Sequence, residues 1–456
     1  MQEVNREPQT IAAVATAVAP AQGGIAVIRL SGPQAQAAVR DVTRIPGDQL
    51  WESHRVLYGH VLAADQAERL DEVLVVLMLA PRSFTGEDVV EIHCHGGVIA
   101  VQRVLARVLD QPGVRRALPG EFSQRAVLNG RLDLTRAEAI SDLVASRSQR
   151  AAQLAMAGVD GGIQKRITAL RERLLDQLSE LEARVDFEED LPPLDGSALL
   201  EELQEVRREL QELVHDGEAG AALRQGLRVA LVGRPNVGKS SLLNRLSRRE
   251  RAIVTDLPGT TRDLLESEIV LEGVPITLLD TAGIRATTDA VEQLGIARSH
   301  DALVSADLVL LLFDLTEGWT AADQELCQRI PEAVPRLLVG NKTDRPAMGA
   351  APPQSFVRVS ASSGAGEAEL VQTLLQRCGA LSDGSLLLSL NQRQADLAQQ
   401  AADALARSAQ VAADGLPWDF WTIDLRQAIR SLGEITGEEL TESVLDRIFS
   451  RFCIGK

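Results

Sequence analysis

Between Thr10 and His95 short apolar runs are broken by glycine, proline and polar residues: Thr10 to Ala19, Gly24 to Leu30, His54 to Leu62, Asp71 to Leu79 and Asp88 to His95. Runs of that length with that punctuation predict β-strands. Apolar residues three and four apart predict helices from Pro33 to Val42 and from Val98 to Leu109. Residues 1–120 therefore read as an α+β domain.

From Gly120 the period lengthens. Glu121 to Asn129 and Thr135 to Val185 carry helical spacing with almost no breakers before Gly158–Gly162. The acidic, doubly prolyl segment from Asp186 to Pro193 predicts an exposed loop, because a helix does not continue easily through two prolines. Helix resumes from Ser197 to Ala221. Residues 227–380 alternate β-type runs with helical stretches, the pattern of a parallel sheet wrapped by helices. After residue 388 the pattern is helical again, with shorter helices at Ile423 to Leu432 and Glu439 to Phe452. A strand–helix module flanked on both sides by helical sequence predicts an insertion. The expected architecture is multidomain α/β: an α+β domain at 1–120, a discontinuous all-helical domain at 121–224 and 382–456, and an inserted module at 225–381. Three successive beads are the alternative.

Length and charge narrow this picture. At ~150 residues per domain, 456 residues allow three domains. A net charge of −17 and 3% aromatic residues argue against a broad basic or base-stacking surface, so contact with nucleic acid would be local or shared with a partner. Cys94, Cys327, Cys378 and Cys453 form no Cys-x-x-Cys pair and fit a reducing cytoplasm. Met1-Gln2-Glu3 does not begin a secretory signal, and no run approaches the roughly 18 apolar residues of a membrane span. The expectation is a soluble cytoplasmic protein with no membrane association.

The chemistry concentrates in the module. The buried-strand run Leu227–Val232 leads into Gly233-Arg234-Pro235-Asn236-Val237-Gly238-Lys239-Ser240, a G-x-x-x-x-G-K-S loop in its strand–loop–helix context, with Ser241 next in the helix. Backbone N–H groups in such a loop curl around phosphate oxygens, Lys239 supplies a point charge and Ser240 is suited to magnesium. A second apolar strand ends in Asp280-Thr281-Ala282-Gly283, where Asp280 is placed to reach magnesium and the glycine N–H a terminal phosphate. A third ends in Asn341-Lys342-Thr343-Asp344, the N-K-x-D set of guanine-binding GTPases. Asp344 there accepts from N1–H and the 2-amino group, which adenine does not offer. Ser360-Ala361-Ser362 fits the last base-contacting loop. Together these elements read as a P-loop, Ras-like GTPase domain.

Ile284 stands where many regulatory GTPases carry a water-orienting glutamine, so another group must do that work. Glu292 is the candidate, with a solvated surface carboxylate as the alternative. Thr255-Asp256-Leu257-Pro258-Gly259-Thr260-Thr261 lies where the first switch belongs, and its hydroxyls and carbonyls suit a hard cation. His93 and His95 share one strand face with no further Cys/His cluster, which argues against a metal site there.

At these residues the chain is similar to the MnmE (TrmE) family of tRNA-modification GTPases over essentially its whole length. The ending Phe452-Cys453-Ile454-Gly455-Lys456 resembles that family's C-I-G-K terminus. So do the segments Gly23 to Gly32, Phe84-Thr85-Gly86-Glu87-Asp88 and Pro119-Gly120-Glu121-Phe122-Ser123. The resemblance implies an N-terminal domain that dimerises and binds a folate, a discontinuous helical domain and an inserted GTPase domain. It implies a heterotetramer with a flavoprotein of the MnmG (GidA) family, the FAD residing in that partner alone. The pair would act on the wobble uridine of tRNA with 5,10-methylene- or 5-formyl-tetrahydrofolate. By motif, Asn236, Thr255, Leu257 and Thr260 match potassium-holding positions, Ser240 and Thr261 magnesium ligands, and Glu292 a glutamate that positions water through an intermediary. Arg29, Glu91, Arg131 and Lys456 match folate-binding positions, and Cys453 is a candidate functional thiol beside them. The competing reading is a ribosome-assembly GTPase switch, which predicts an attached basic RNA-binding module that the flanking helices do not display.

Overall fold

The computed structural model describes residues 9–20, 23–187, 196–248, 266–280, 303–380, 388–438, 442–452 and 454–455. Two compact units emerge, Met1–Ser141 with Thr436–Lys456, and Asp142–Ile435.

The first unit is built on β1 (Thr10–Val14), β2 (Ile25–Ser31), β3 (Thr43–Arg44), β4 (Val56–Leu62), β5 (Arg69–Met78), β6 (Val89–His95) and β7 (Val114–Arg116). The order across the sheet is β3-β4-β5-β6-β2-β1-β7, antiparallel except where β7 joins β1. Strand alternation sorts its two faces. Ala26, Ile28, Leu30, Val73, Val75, Leu77, Val90, Ile92 and Cys94 are buried with α1 (Ala35–Val42) and α2 (Val98–Leu109). Each fully buried Val, Leu or Ile there contributes about 1.5–3 kcal/mol. The other face carries Val56, Tyr58 and Leu74, all exposed, and next to them Arg29, Glu91 and His93. Two further helices follow, α3 (Glu121–Leu128) and α4 (Leu134–Ala145). Leu134 and Ala137 of α4 pack with Leu445 and Phe449 of the last helix, α13 (Glu442–Phe449).

The second unit holds a six-stranded sheet of β8 (Leu227–Gly233), β9 (Glu266–Leu271), β10 (Val274–Asp280), β11 (Leu308–Asp314), β12 (Arg336–Asn341) and β13 (Phe356–Arg358). Its order is β13-β12-β11-β8-β10-β9, parallel except for the β9–β10 pair. Every residue of β11 is buried, as a parallel strand covered on both faces requires. The helices packed with this sheet include α8 (Lys239–Leu246) and α10 (Glu367–Arg377); α9 (Ala321–Arg329) lies on its other face. A separate helical core joins α6 (Gly162–Phe187) and α7 (Gly196–Gln225) to α11 (Gln392–Ala413) and α12 (Trp418–Thr436), chain from both sides of the sheet sequence.

The predicted helix from Thr135 to Val185 is broken earlier than expected. α4 ends at Ala145, and α5 (Gln149–Val159) begins after Ser148, whose hydroxyl accepts from the Ala151 N–H. Ser146 turns its hydroxyl back onto the Asp142 carbonyl at 2.8 Å. Two serines competing for backbone groups end and restart a helix without glycine or proline. Most of the acidic, doubly prolyl stretch lies outside the described residues.

Candidate nucleotide and folate sites

The strand β8 delivers its last residue, Gly233, against β11, where an added Cβ would stand 2.5 Å from the Leu312 carbonyl oxygen. The loop then turns through left-handed Asn236 (φ 65) and Gly238 (φ 100) into α8. Lys239 folds its ammonium over that loop, donating to the carbonyls of Gly233 at 2.7 Å and Arg234 at 2.9 Å. A concave backbone, a helix N-terminus and an ammonium group converge on one spot, which is the arrangement a polyphosphate needs. Ser240 and Ser241 lie in the first turn of α8. Asp280 closes β10 at the same end of the sheet, where parallel strands carry their ligands.

Asn341 clasps this loop to the base-contacting loops. Its Nδ2 donates to the Val237 carbonyl at 2.7 Å, and its Oδ1 accepts from the backbone N–H of Lys342 at 2.8 Å and of Ala361 at 3.0 Å. Lys342 reaches Asp314 Oδ2 at 2.5 Å. Burial pushes the Asp314 carboxyl up, but the hydrogen bonds from Lys342 and Thr316 outweigh it and hold the group below its ordinary range. Asp344 accepts from the Ser360 hydroxyl at 2.6 Å, and Ser360 in turn meets Ser362 at 2.9 Å. The Ser360 hydroxyl and the residue's own backbone lower the Asp344 pKa, so this exposed carboxylate is a charged acceptor at neutral pH. The Thr343 N–H is held by the Val359 carbonyl at 3.1 Å.

Asn236, Val237, Gly238, Lys239, Ser240, Ser241, Asp280, Asn341, Lys342, Thr343, Asp344, Ser360, Ala361 and Ser362 thus come from the loop ends of one sheet. Thr255, Asp256, Leu257, Pro258, Gly259, Thr260, Thr261, Thr281, Ala282, Gly283 and Glu292 lie outside the described residues. Two contributors escaped the motif reading. Asp314 ends a strand as Asp280 does, and its position after the apolar run Leu308–Phe313 was the available signal. Arg234 donates from Nε to fully buried Asp323 at 2.8 Å and pairs with Glu317 at 2.9 Å. Asp323 is also the third residue of the capping box that Thr320 opens for α9, so one carboxylate fastens the phosphate loop to a helix start.

In the first unit Arg29 and Glu91 are cross-strand partners on β2 and β6, joined from Nε to Oε1 at 2.8 Å. His93 Nε2 lies 3.2 Å from the other Glu91 oxygen. Arg29 also donates to the Gly455 carbonyl at 3.2 Å and lies over the rings of Phe84 and Phe122, each centroid 5.8 Å away. Phe84 lines a cavity of about 480 Å³ together with His54, Met78, Pro81, Arg82, Ser83 and Arg131. Of the folate candidates, Arg29 and Glu91 meet directly, and Arg131 lines the same cavity as Phe84, over which Arg29 lies. Lys456 and Cys453 lie outside the described residues. Cys94 points to the opposite, buried face, where desolvation pushes its thiol up to about 11. His95 pairs with Asp71 at 2.6 Å.

A phosphate nest and an N-K-x-D loop clasped at one end of a parallel sheet define a P-loop GTPase. The family model described as GTP-binding protein TrmE N-terminus matches residues 10–131, and that described as MnmE helical domain matches residues 134–453. A "tRNA modification GTPase MnmE" of Synechococcus sp. (strain WH7803) is 86% identical over 460 residues, covering 100% of both chains. Its counterpart from strain CC9311 is 79% identical, covering 98% of each. The chain belongs to the MnmE/TrmE family. No helix among the described residues is long and apolar enough to cross a membrane.

Proposed function

We propose that the chain is the GTP-hydrolysing component of a complex that adds an aminomethyl or carboxymethylaminomethyl group to C5 of the wobble uridine in certain tRNAs. The observation that carries this reading is kinship along the full chain with relatives named tRNA modification GTPases, joined to the clasped guanine loop of Asn341 and Asp344. The one-carbon donor is a 5,10-methylene- or 5-formyl-tetrahydrofolate, and the partner is a flavoprotein of the MnmG (GidA) family that holds FAD and most of the basic surface for tRNA. The working assembly is cytoplasmic and centres on a homodimer made through the N-terminal domain, consistent with the exposed Val56, Tyr58 and Leu74 on its open sheet face. Its domains divide at 1–120, 121–224 with 382–456, and 225–381.

In hydrolysis Lys239 and the loop N–H groups hold the phosphates, and Asp344 selects guanine. Ser240 and Thr261 offer hydroxyl oxygens to magnesium. Asn236, Thr255, the Leu257 carbonyl and Thr260 offer an all-oxygen set to potassium, and that donor chemistry fits both hard cations. Bound there, the cations offset charge that develops on the phosphates. Glu292 positions the attacking water through an intermediary, since the Ile284 side chain has no hydrogen-bonding group.

Exchanging potassium for sodium should lower GTP hydrolysis about 100-fold or more, the scale of one lost transition-state charge contact; equal rates in the two salts remove the potassium assignment. Nucleoside analysis of tRNA from cells lacking this protein should show loss of the C5-modified wobble uridines. Unaltered wobble uridines would rule out the proposed reaction.

A further inference from the structure

We infer that the cavity beside Phe84 seats the poly-γ-glutamyl tail of the folate and that Arg82 selects tails longer than one glutamate. This rests on the reading that the unit binds folate, and it names the form of folate bound. The cavity of about 480 Å³ is lined by Arg82, Arg131 and His54 and by no carboxylate.

The acids in adjoining segments are engaged elsewhere. Glu52 pairs with Arg55 at 2.7 Å, Glu87 pairs with Arg125 at 3.0 Å and accepts from Ser31, and Asp88 accepts from the Ala80 N–H at 2.9 Å. The field inside the cavity is therefore positive and favours an anion. The Arg131 side chain is anchored by one hydrogen bond, from Nε to the Ser83 carbonyl at 3.4 Å, and its terminal amino groups meet no protein partner among the described residues. The Arg82 guanidinium likewise has no side-chain partner among them. Two forked donors left open in one cavity match carboxylates in a bidentate manner.

Shared neighbours connect the ring-binding end to the cavity. Glu91, held between Arg29 and His93, is the acceptor for the aminopyrimidine end of the folate. Arg29 lies over Phe84, and Phe84 lines the cavity together with Arg131 and Arg82. Arg131 meets the carboxylates of the first glutamate. Each further γ-linked residue brings one more carboxylate, and Arg82, the second open guanidinium lining the same cavity, is available to receive it.

The test is equilibrium binding of the monoglutamyl and triglutamyl forms of 5-formyl-tetrahydrofolate to the full chain and to its Arg82→Gln and Arg131→Gln variants. The triglutamyl form should bind the unaltered chain about five- to twentyfold more tightly, the range for one or two charge-assisted contacts, and the advantage should shrink as ionic strength rises. Arg82→Gln should bring the ratio near one, whereas Arg131→Gln should weaken both ligands. Equal binding of the two forms to the unaltered chain, or a ratio that survives Arg82→Gln, overturns the inference and leaves the folate reading standing. Binding of neither form removes the folate reading itself.

Discussion

Replacing Gly238 with alanine is expected to weaken GTP binding at least about 100-fold, the equivalent of ~3 kcal/mol. A Cβ at this position would lie 2.2 Å from Asn341 Nδ2. Asn341 is 2% exposed and spends both ends of its amide on the loops, so it has no room to swing aside. Displacing it strands buried donors and acceptors at about 1–3 kcal/mol each. The left-handed backbone at φ 100 adds a cost of its own for alanine. Titration calorimetry with a non-hydrolysable GTP analogue, beside a thermal melt to confirm that the variant folds, measures the effect. Affinity within threefold of the unaltered chain would show that the clasp yields and that the argument is wrong.

Asp344→Asn should exchange one base for another. The aspartate accepts from two guanine donors; an asparagine amide replaces one acceptor with a donor, which faces the guanine 2-amino group unfavourably and suits the C2 oxygen of xanthine. Sites built to pair a polar ligand group reject the mismatched analogue by about 10⁴-fold or more. Loss of GTP affinity of about that size is expected, together with a gain for xanthosine triphosphate. Ser360 supports this outcome, because its hydroxyl donates to the same carboxylate and can turn to accept from the amide. Competition between the two nucleotides provides the measurement, and GTP affinity unaltered by the substitution would remove Asp344 from base recognition.

The phosphate and base loops were legible in the sequence because their chemistry is local: glycines, a lysine and an aspartate at fixed short spacings after apolar strands. What joins them was not, because it depends on groups far apart in the chain. Asn341 reaches Val237, and Arg234 reaches Asp323, across separations of 104 and 89 residues. The same holds in the first unit. Motif resemblance selected Glu91 and Arg29, yet only the sheet register makes them cross-strand partners; His93, two residues along the same strand, reaches the second carboxylate oxygen from the same face. The helix break at Ser146 and Ser148 was missed for a different reason. Apolar spacing runs through it, and hydroxyls that compete for backbone groups leave no mark on periodicity.

The ends of the first sheet have a consequence for association. Its outermost strands, β3 and β7, have two and three residues, and they carry Arg44, Arg115 and Arg116. A foreign strand seeking an open ladder finds only a few backbone groups to pair with and meets cationic side chains as it approaches. The sheet therefore has little to offer as a template for edge-on aggregation, even though its long inner strands are rich in valine, leucine and isoleucine.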